Sequence, residues 1–156
     1  MKVILASDHA GFALKEAVKA FLLTAGIAID DAGADEFDPT DDYPVFVKTA
    51  MERLEDAVAN EETARAVIFG KSGQGEAMAA NKFAGVRAAV FYGGSDDSIV
   101  LSREHNDSNV LSLAGGFLTP EQAVHAVALW LETPFSGEER HARRNEALAE
   151  MTDRHW

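Results

Sequence analysis

The sequence predicts an α/β protein: a three-layer αβα, Rossmann-like fold around a five-stranded parallel sheet. Three observations point there. Short apolar or β-branched runs alternate with longer amphipathic stretches, the alternation repeats five times, and no break in composition interrupts it. A chain of 156 residues is near the usual size of one domain and long enough to bury a core, so residues 1–156 read as one domain. A TIM barrel would need eight such units and about 250 residues.

Residues 2–7 (KVILAS) read as a buried strand. Residues 11–25 follow with Phe12, Leu14, Val18, Phe21 and Leu22 at helical spacing. Gly26 stops that helix, and 27–31 form a second strand. A polar stretch, 33–42, leads to a helix over roughly 45–59. Residues 64–70 (ARAVIFG) make the third strand and 74–82 a short Ala-rich helix. The fourth strand spans 86–92, with a helix over about 95–104, and the fifth spans 109–114. Helices then cover 120–131, with Pro120 in the first turn, and about 137–152.

Five strands suggest the flavodoxin-like order 2-1-3-4-5, whose switch point lies between the first and third strands. Ligands bind there, at the strands' carboxyl ends. That names two loops: Ser7-Asp8-His9-Ala10-Gly11 and Gly70-Lys71-Ser72-Gly73-Gln74-Gly75-Glu76.

Composition narrows the partners. An apolar fraction of 47% excludes a disordered chain. No apolar run approaches the roughly 20 residues of a membrane helix, and Met1-Lys2 opens no signal peptide, so no membrane partner is expected. The absence of cysteine excludes disulfides and thiolate chemistry and fits a cytoplasmic protein. A net charge of −12 argues against nucleic acid, which needs a concentrated basic face. Against that background, Arg140, His141, Arg143 and Arg144 form a basic cluster suited to capturing a small anion.

The Gly-rich loop is neither of two familiar nucleotide motifs. Gly70, Gly73 and Gly75 give G-x-x-G-x-G rather than the dinucleotide G-x-G-x-x-G, and the earlier glycine of a P-loop would fall at Arg65. Its glycines allow close backbone approach and leave N–H groups exposed at a helix start. Ser72 is expected to cap that helix, with Gly73 at N1. Glu76 then falls at N4, one residue beyond a capping box. It reads either as a dipole-favoured surface acid or as a general base beside an oxyanion cradle, the pair that proton abstraction next to a carbonyl needs.

Asp8-His9 reads as a turn or as a sugar-binding and proton-shuttling pair. His105-Asn106-Asp107, before the fifth strand, is a polar turn or a second site element. His125 is expected on a helix surface. The five histidines are scattered without i, i+4 partners, so no metal site is expected.

At these residues the chain resembles the ribose-5-phosphate isomerase B family, the RpiB/LacA/LacB sugar-phosphate isomerases. The matching pieces are Ser7-Asp8-His9-Ala10-Gly11-Phe12, Asp42-Tyr43-Pro44, Gly70 to Lys82, Gly85-Val86-Arg87-Ala88-Ala89, Ser102 to Leu111, and Arg140-His141-Ala142-Arg143-Arg144. They span nearly the whole chain in the right order.

The resemblance implies aldose–ketose isomerisation of a sugar phosphate through an enediolate, without metal or cofactor, as in the pentose phosphate pathway. One branch of the family uses a cysteine just before the Gly-rich loop, where this chain has Phe69. The other uses a glutamate in the loop, as at Glu76. By similarity Glu76 is the base, and Ser72 with the N–H groups of Gly73 and Gly75 holds the oxyanion. Asp8 and His105 open the sugar ring, Asn106 orients the reacting oxygens, and Tyr43 lines the pocket. His9, Arg140 and Arg144 hold the phosphate, the arginines from a second subunit, so a homodimer is implied, or a tetramer of paired dimers. The C-terminal helix would pack on that partner.

Two departures accompany this. Phe117 stands where many members carry a phosphate-binding arginine, a loss worth roughly 1.5–3 kcal/mol. Lys71 replaces a small residue and supplies an ammonium that compensates in part. The leading substrate pair is ribose 5-phosphate and ribulose 5-phosphate. The alternatives are a hexose phosphate of the galactose or allose type, and a non-catalytic phosphosugar-binding module.

Overall fold

The computed structural model describes residues 1–151. Its sheet contains β1 (Lys2–Ser7), β2 (Ala28–Asp31), β3 (Ala64–Gly70), β4 (Ala88–Phe91) and β5 (Val110–Ala114), all parallel. The helices are α1 (Phe12–Thr24), α2 (Tyr43–Ala59), α3 (Gln74–Ala80), α4 (Asp97–Glu104), α5 (Pro120–Glu132) and α6 (Glu139–Ala149). Most boundaries fall within two residues of expectation. The helix expected over 137–152 is shorter, and residue 152 lies outside the described residues. No helix among the described residues is long and apolar enough to cross a membrane.

Both faces of the sheet are covered, and alternating side chains divide between two cores. Val3, Leu5, Val67, Phe69, Leu111 and Leu113 meet α1, α4 and α5, with Trp130 fully buried among them. Ile4, Ala6, Ala66 and Ile68 face the other way, against Val47, Met51 and Leu54 of α2 and Ala80 of α3. The Trp130 indole N–H donates to Ser108 Oγ at 2.8 Å, so the largest buried ring leaves no polar atom orphaned.

The αβα class and five parallel strands stand as expected, but the strand order is 2-1-3-5-4. The last two strands exchange places relative to 2-1-3-4-5. Every residue of β5 is buried, which requires a neighbour on each side, and it lies between β3 and β4. In β4 only Phe91 is buried, and the strand pairs on one side alone. Such a half-covered strand suits an edge. β1 and β3 remain adjacent, with α1 and α2 on opposite faces. The switch point is therefore where the sequence places it.

A fully buried cation fixes the ground beside that point. Lys15 Nζ donates to Asp31 Oδ1 at 2.9 Å and to the Ala34 carbonyl at 2.6 Å. Burial alone would raise the pKa of Asp31. Lys19 and Lys15 overcome it and hold the carboxyl below the usual range. The tethered 33–34 segment pairs in turn with Ser7 at the end of β1.

Candidate active site

Three loops converge at the carboxyl ends of β1, β3 and β5. The Gly115 N–H donates to the Gly70 carbonyl at 2.7 Å and Gly116 N–H to that of Lys71 at 2.9 Å, which carries the β3–β5 ladder into the loops. A Cβ on Gly115 would lie 2.7 Å from the Ala10 carbonyl oxygen, so the turn after β1 is packed against the other two.

Gly73 turns the chain into α3. Its φ of 73° is left-handed, and its carbonyl accepts a bond from Ser112 Oγ at 2.7 Å. This corrects the expected cap. A left-handed residue is not the first residue of a helix, so α3 starts at Gln74, Gly73 is its N-cap, and Glu76 sits at N3. Ser72 Oγ stays 3.4 Å from the Gln74 N–H and makes no strong cap. The glycine cap has no side chain for a capping box.

Glu76 is only 5% exposed, not the solvent-near acid that a first helical turn suggests. A Cβ at position 70 would fall on its carboxylate. Burial raises its pKa, and the nearby Asp8 carboxylate raises it further, against the effect of its own N–H. Asp8 is itself buried. It holds its turn by accepting from the Ala10 and Gly11 N–H groups at 3.0 and 3.1 Å. Among the described residues, the N–H groups of Ser72, Gly73 and Gly75 have no protein acceptor. Tyr43, the first residue of α2, lies against the loop: a Cβ on Gly75 would meet its hydroxyl at 2.8 Å. A buried carboxylate, unpaired donors and an aromatic wall therefore share one small space.

His9 borders it. Its Nδ1 and backbone N–H both contact Asp41 Oδ1, at 2.6 and 2.9 Å, and the hydrogen bond to Asp41 raises the imidazole pKa. Phe37 meets the His9 ring edge-on, with centroids 6.2 Å apart. Lys71 is exposed and makes no ion pair among the described residues. Its Cγ lies 3.2 Å from where a Gly116 Cβ would stand. Phe117, next in that loop, is 66% exposed. Asp8, His9 and Asp41 have ligand atoms within 4.8 Å of one another, a spacing open to a cation, though hydrogen bonds already engage Asp8 Oδ1 and Asp41 Oδ1.

The remaining expected residues gather elsewhere. His105 caps the end of α4, and Asp107, with φ 45°, takes Arg87 at 2.9 Å and Arg103 at 2.8 Å. The Asn106 carbonyl accepts from Arg87 Nε. From α6, the Asn145 amide donates to the His105 carbonyl at 3.2 Å, and His141 stacks on the His105 ring. Arg140 and Arg144 are exposed on this same helix, Arg140 paired with Glu138. An open cleft of about 790 Å³ lies here, lined in part by Arg87, Asn106 and Asn145.

This second cluster is at the opposite end of the sheet, by the amino end of β5. Val110, which begins β5, is level with Ala66, whereas the Gly-rich loop begins beyond Gly70. Four residues of strand separate the two levels by about 13 Å. One chain thus joins Asp8, His9, Tyr43, Lys71, Ser72, Gly73, Gly75 and Glu76, but not His105, Asn106, Arg140 or Arg144. His125 lies on the surface, paired with Asp96, as expected.

Sequence reasoning missed Asp41. It precedes Asp42-Tyr43-Pro44, but it is 32 residues from His9 and no spacing links them. Arg87 and Arg103 lie within the matching pieces but carry no role there; they fix the His105 turn through Asp107.

The chain matches the Ribose/Galactose Isomerase family over residues 3–148. It is 39% identical over 155 residues to ribose-5-phosphate isomerase B of Mycolicibacterium paratuberculosis, covering 99% of this chain and 94% of the relative. Among solved structures, a ribose 5-phosphate isomerase of Thermotoga maritima superposes with a TM-score of 0.86 at 37% identity, covering 96% of this chain and 97% of the other. Ribose-5-phosphate isomerase B of Mycoplasma genitalium, solved with bound ribulose 5-phosphate, gives a TM-score of 0.87 at 32% identity, covering 96% and 94%. The chain is an enzyme of the aldose–ketose isomerase class. Within that class it belongs to the Ribose/Galactose Isomerase family.

Proposed function

We propose that the enzyme interconverts ribose 5-phosphate and ribulose 5-phosphate through an enediolate, with Glu76 as the base. The observation that carries this is the buried, proton-retentive Glu76 carboxylate beside unpaired backbone N–H groups. A raised pKa brings a carboxylate closer to the weakly acidic C–H it must deprotonate, which strengthens it as a base. The relatives' activity supports the same sugar.

In the cyclic sugar, the C1–O4 bond breaks as O4 gains a proton and the C1 hydroxyl loses one. His105 and Asp8 serve these two transfers. Glu76 then takes the C2 proton, and negative charge develops on O1. Ser72 and the N–H groups of Gly73 and Gly75 hold that charge. The C2 hydroxyl proton passes to O1, which shifts the charge to O2, and Glu76 returns its proton to C1 as the C2 ketone forms, while Asn106 keeps the two oxygens in register and Tyr43 walls the pocket. His9 and Lys71 supply positive charge for the phosphate, joined by Arg140 and Arg144.

Because His105, Asn106 and the arginines stand at the other end of the strands from Glu76, a complete site draws on two copies of the chain. The enzyme works as a homodimer, or as paired dimers, with α6 delivering its arginines to the partner's site. The test is NMR of ribose 5-phosphate with the protein in heavy water, read for conversion and for deuterium at C2, with hexose phosphates in parallel. Pentose conversion with exchange is expected. Sugar binding without exchange would overturn the proposal, and preferential turnover of a hexose phosphate would reassign the substrate.

A further inference from the structure

We infer that His141 is a positioning residue for ring opening, its buried imidazole serving as the plate that fixes the plane of the His105 ring. The inference rests on the proposed role of His105. The two rings are parallel within 11°, with centroids 3.9 Å apart. His105 is the C-cap of α4, where no hydrogen bond to either ring nitrogen restrains its side chain among the described residues. The stack is the only ring contact it has there. A hydrogen bond could fix the ring too, but it would occupy a nitrogen. Stacking leaves both free for O4 or the C1 hydroxyl.

His141 is built for such a passive part. It is 3% exposed, and neither of its ring nitrogens makes a hydrogen bond among the described residues; Nε2 is buried, with the Glu138 carboxylate 3.9 Å away. Asn145, one turn further along α6, grips the His105 carbonyl at 3.2 Å, so the helix holds both the backbone and the ring. Burial lowers the His141 pKa, as do His105, Arg140 and Arg144 nearby, with only Glu138 opposing, so protonation of the stacked ring is disfavoured.

Ribulose 5-phosphate separates positioning for ring opening from general damage. Its O5 is esterified and its carbonyl is at C2, so no furanose forms and it reaches Glu76 already open. Deuterium wash-in at C1 of the ketose therefore reports the Glu76 step alone, whereas conversion of ribose 5-phosphate also requires ring opening. His141→Ala is expected to lower kcat for ribose 5-phosphate by about tenfold or more, part of what general acid–base catalysis contributes. KM should stay near that of the wild type and C1 exchange within about twofold. His141→Phe keeps a flat ring without nitrogens, and should restore conversion to near the wild-type rate. Equal loss of conversion and exchange in His141→Ala, no loss of either, or a failure of His141→Phe to restore conversion would each overturn the inference. Should the alanine variant not fold, Asn145→Ala, which loosens the same turn, is held to the same split. A wild-type enzyme without turnover would instead refute the proposed function.

Discussion

The Glu76 carboxylate occupies the space that a side chain at position 70 would need. Gly70 ends β3 and Glu76 lies in the first turn of α3, so the strand's last residue leaves room for this carboxylate. Gly70→Ala must displace one or the other. Activity should fall by at least about 100-fold, the scale of a misplaced general base. Stability should fall by about 1–3 kcal/mol from overpacking. Steady-state rates and thermal melts check the pair, and near-normal activity would show that Glu76 is not held where the reaction needs it.

Burial of Glu76 also implies a stability cost with a definite pH signature. Its folded pKa is raised, so the unfolded chain ionises it more readily. Its contribution to stability is full below the unfolded pKa and is lost as pH rises through the folded pKa. Glu76→Gln removes that dependence. The variant should be more stable than the wild type at neutral pH, with the gap closing in acid, while isomerisation is abolished. Denaturant melts across pH read this directly.

Asp41 should matter for binding rather than for proton transfer. Its hydrogen bond to Nδ1 keeps the His9 pKa raised. The positive charge on His9 is thus present at low pH and lost only as pH rises through that raised value. Asp41→Asn lowers the pKa, so the charge disappears earlier. An NMR titration of His9 should show the shift, and KM for the phosphorylated sugar should rise roughly tenfold near neutral pH, with little change in acid.

The parts legible in the sequence were those with a local signature. Alternation of strand and helix located β1 and β3, and the loops after them, because each pattern repeats within a few residues. The exchange of β4 and β5 was not legible. Both segments are short and apolar, and which one gains a second neighbour is decided by how much surface the rest of the fold covers. Glu76 was visible as a candidate, but not its burial, which comes from β3 and the loop after β1 closing around it. Asp41 and His9 illustrate the same limit, since a contact across 32 residues leaves no periodic trace.

The central claim is that one site needs Glu76 from one chain and His105 from another. Mixing Glu76→Gln with His105→Asn protein after joint unfolding and refolding tests it most directly. Each variant alone should be close to inactive. In random mixed dimers, one of the two sites receives both intact residues, so about a quarter of the wild-type activity should return. If the mixture stays as inactive as its parents, the two residues serve one and the same chain, and the shared-site account is wrong.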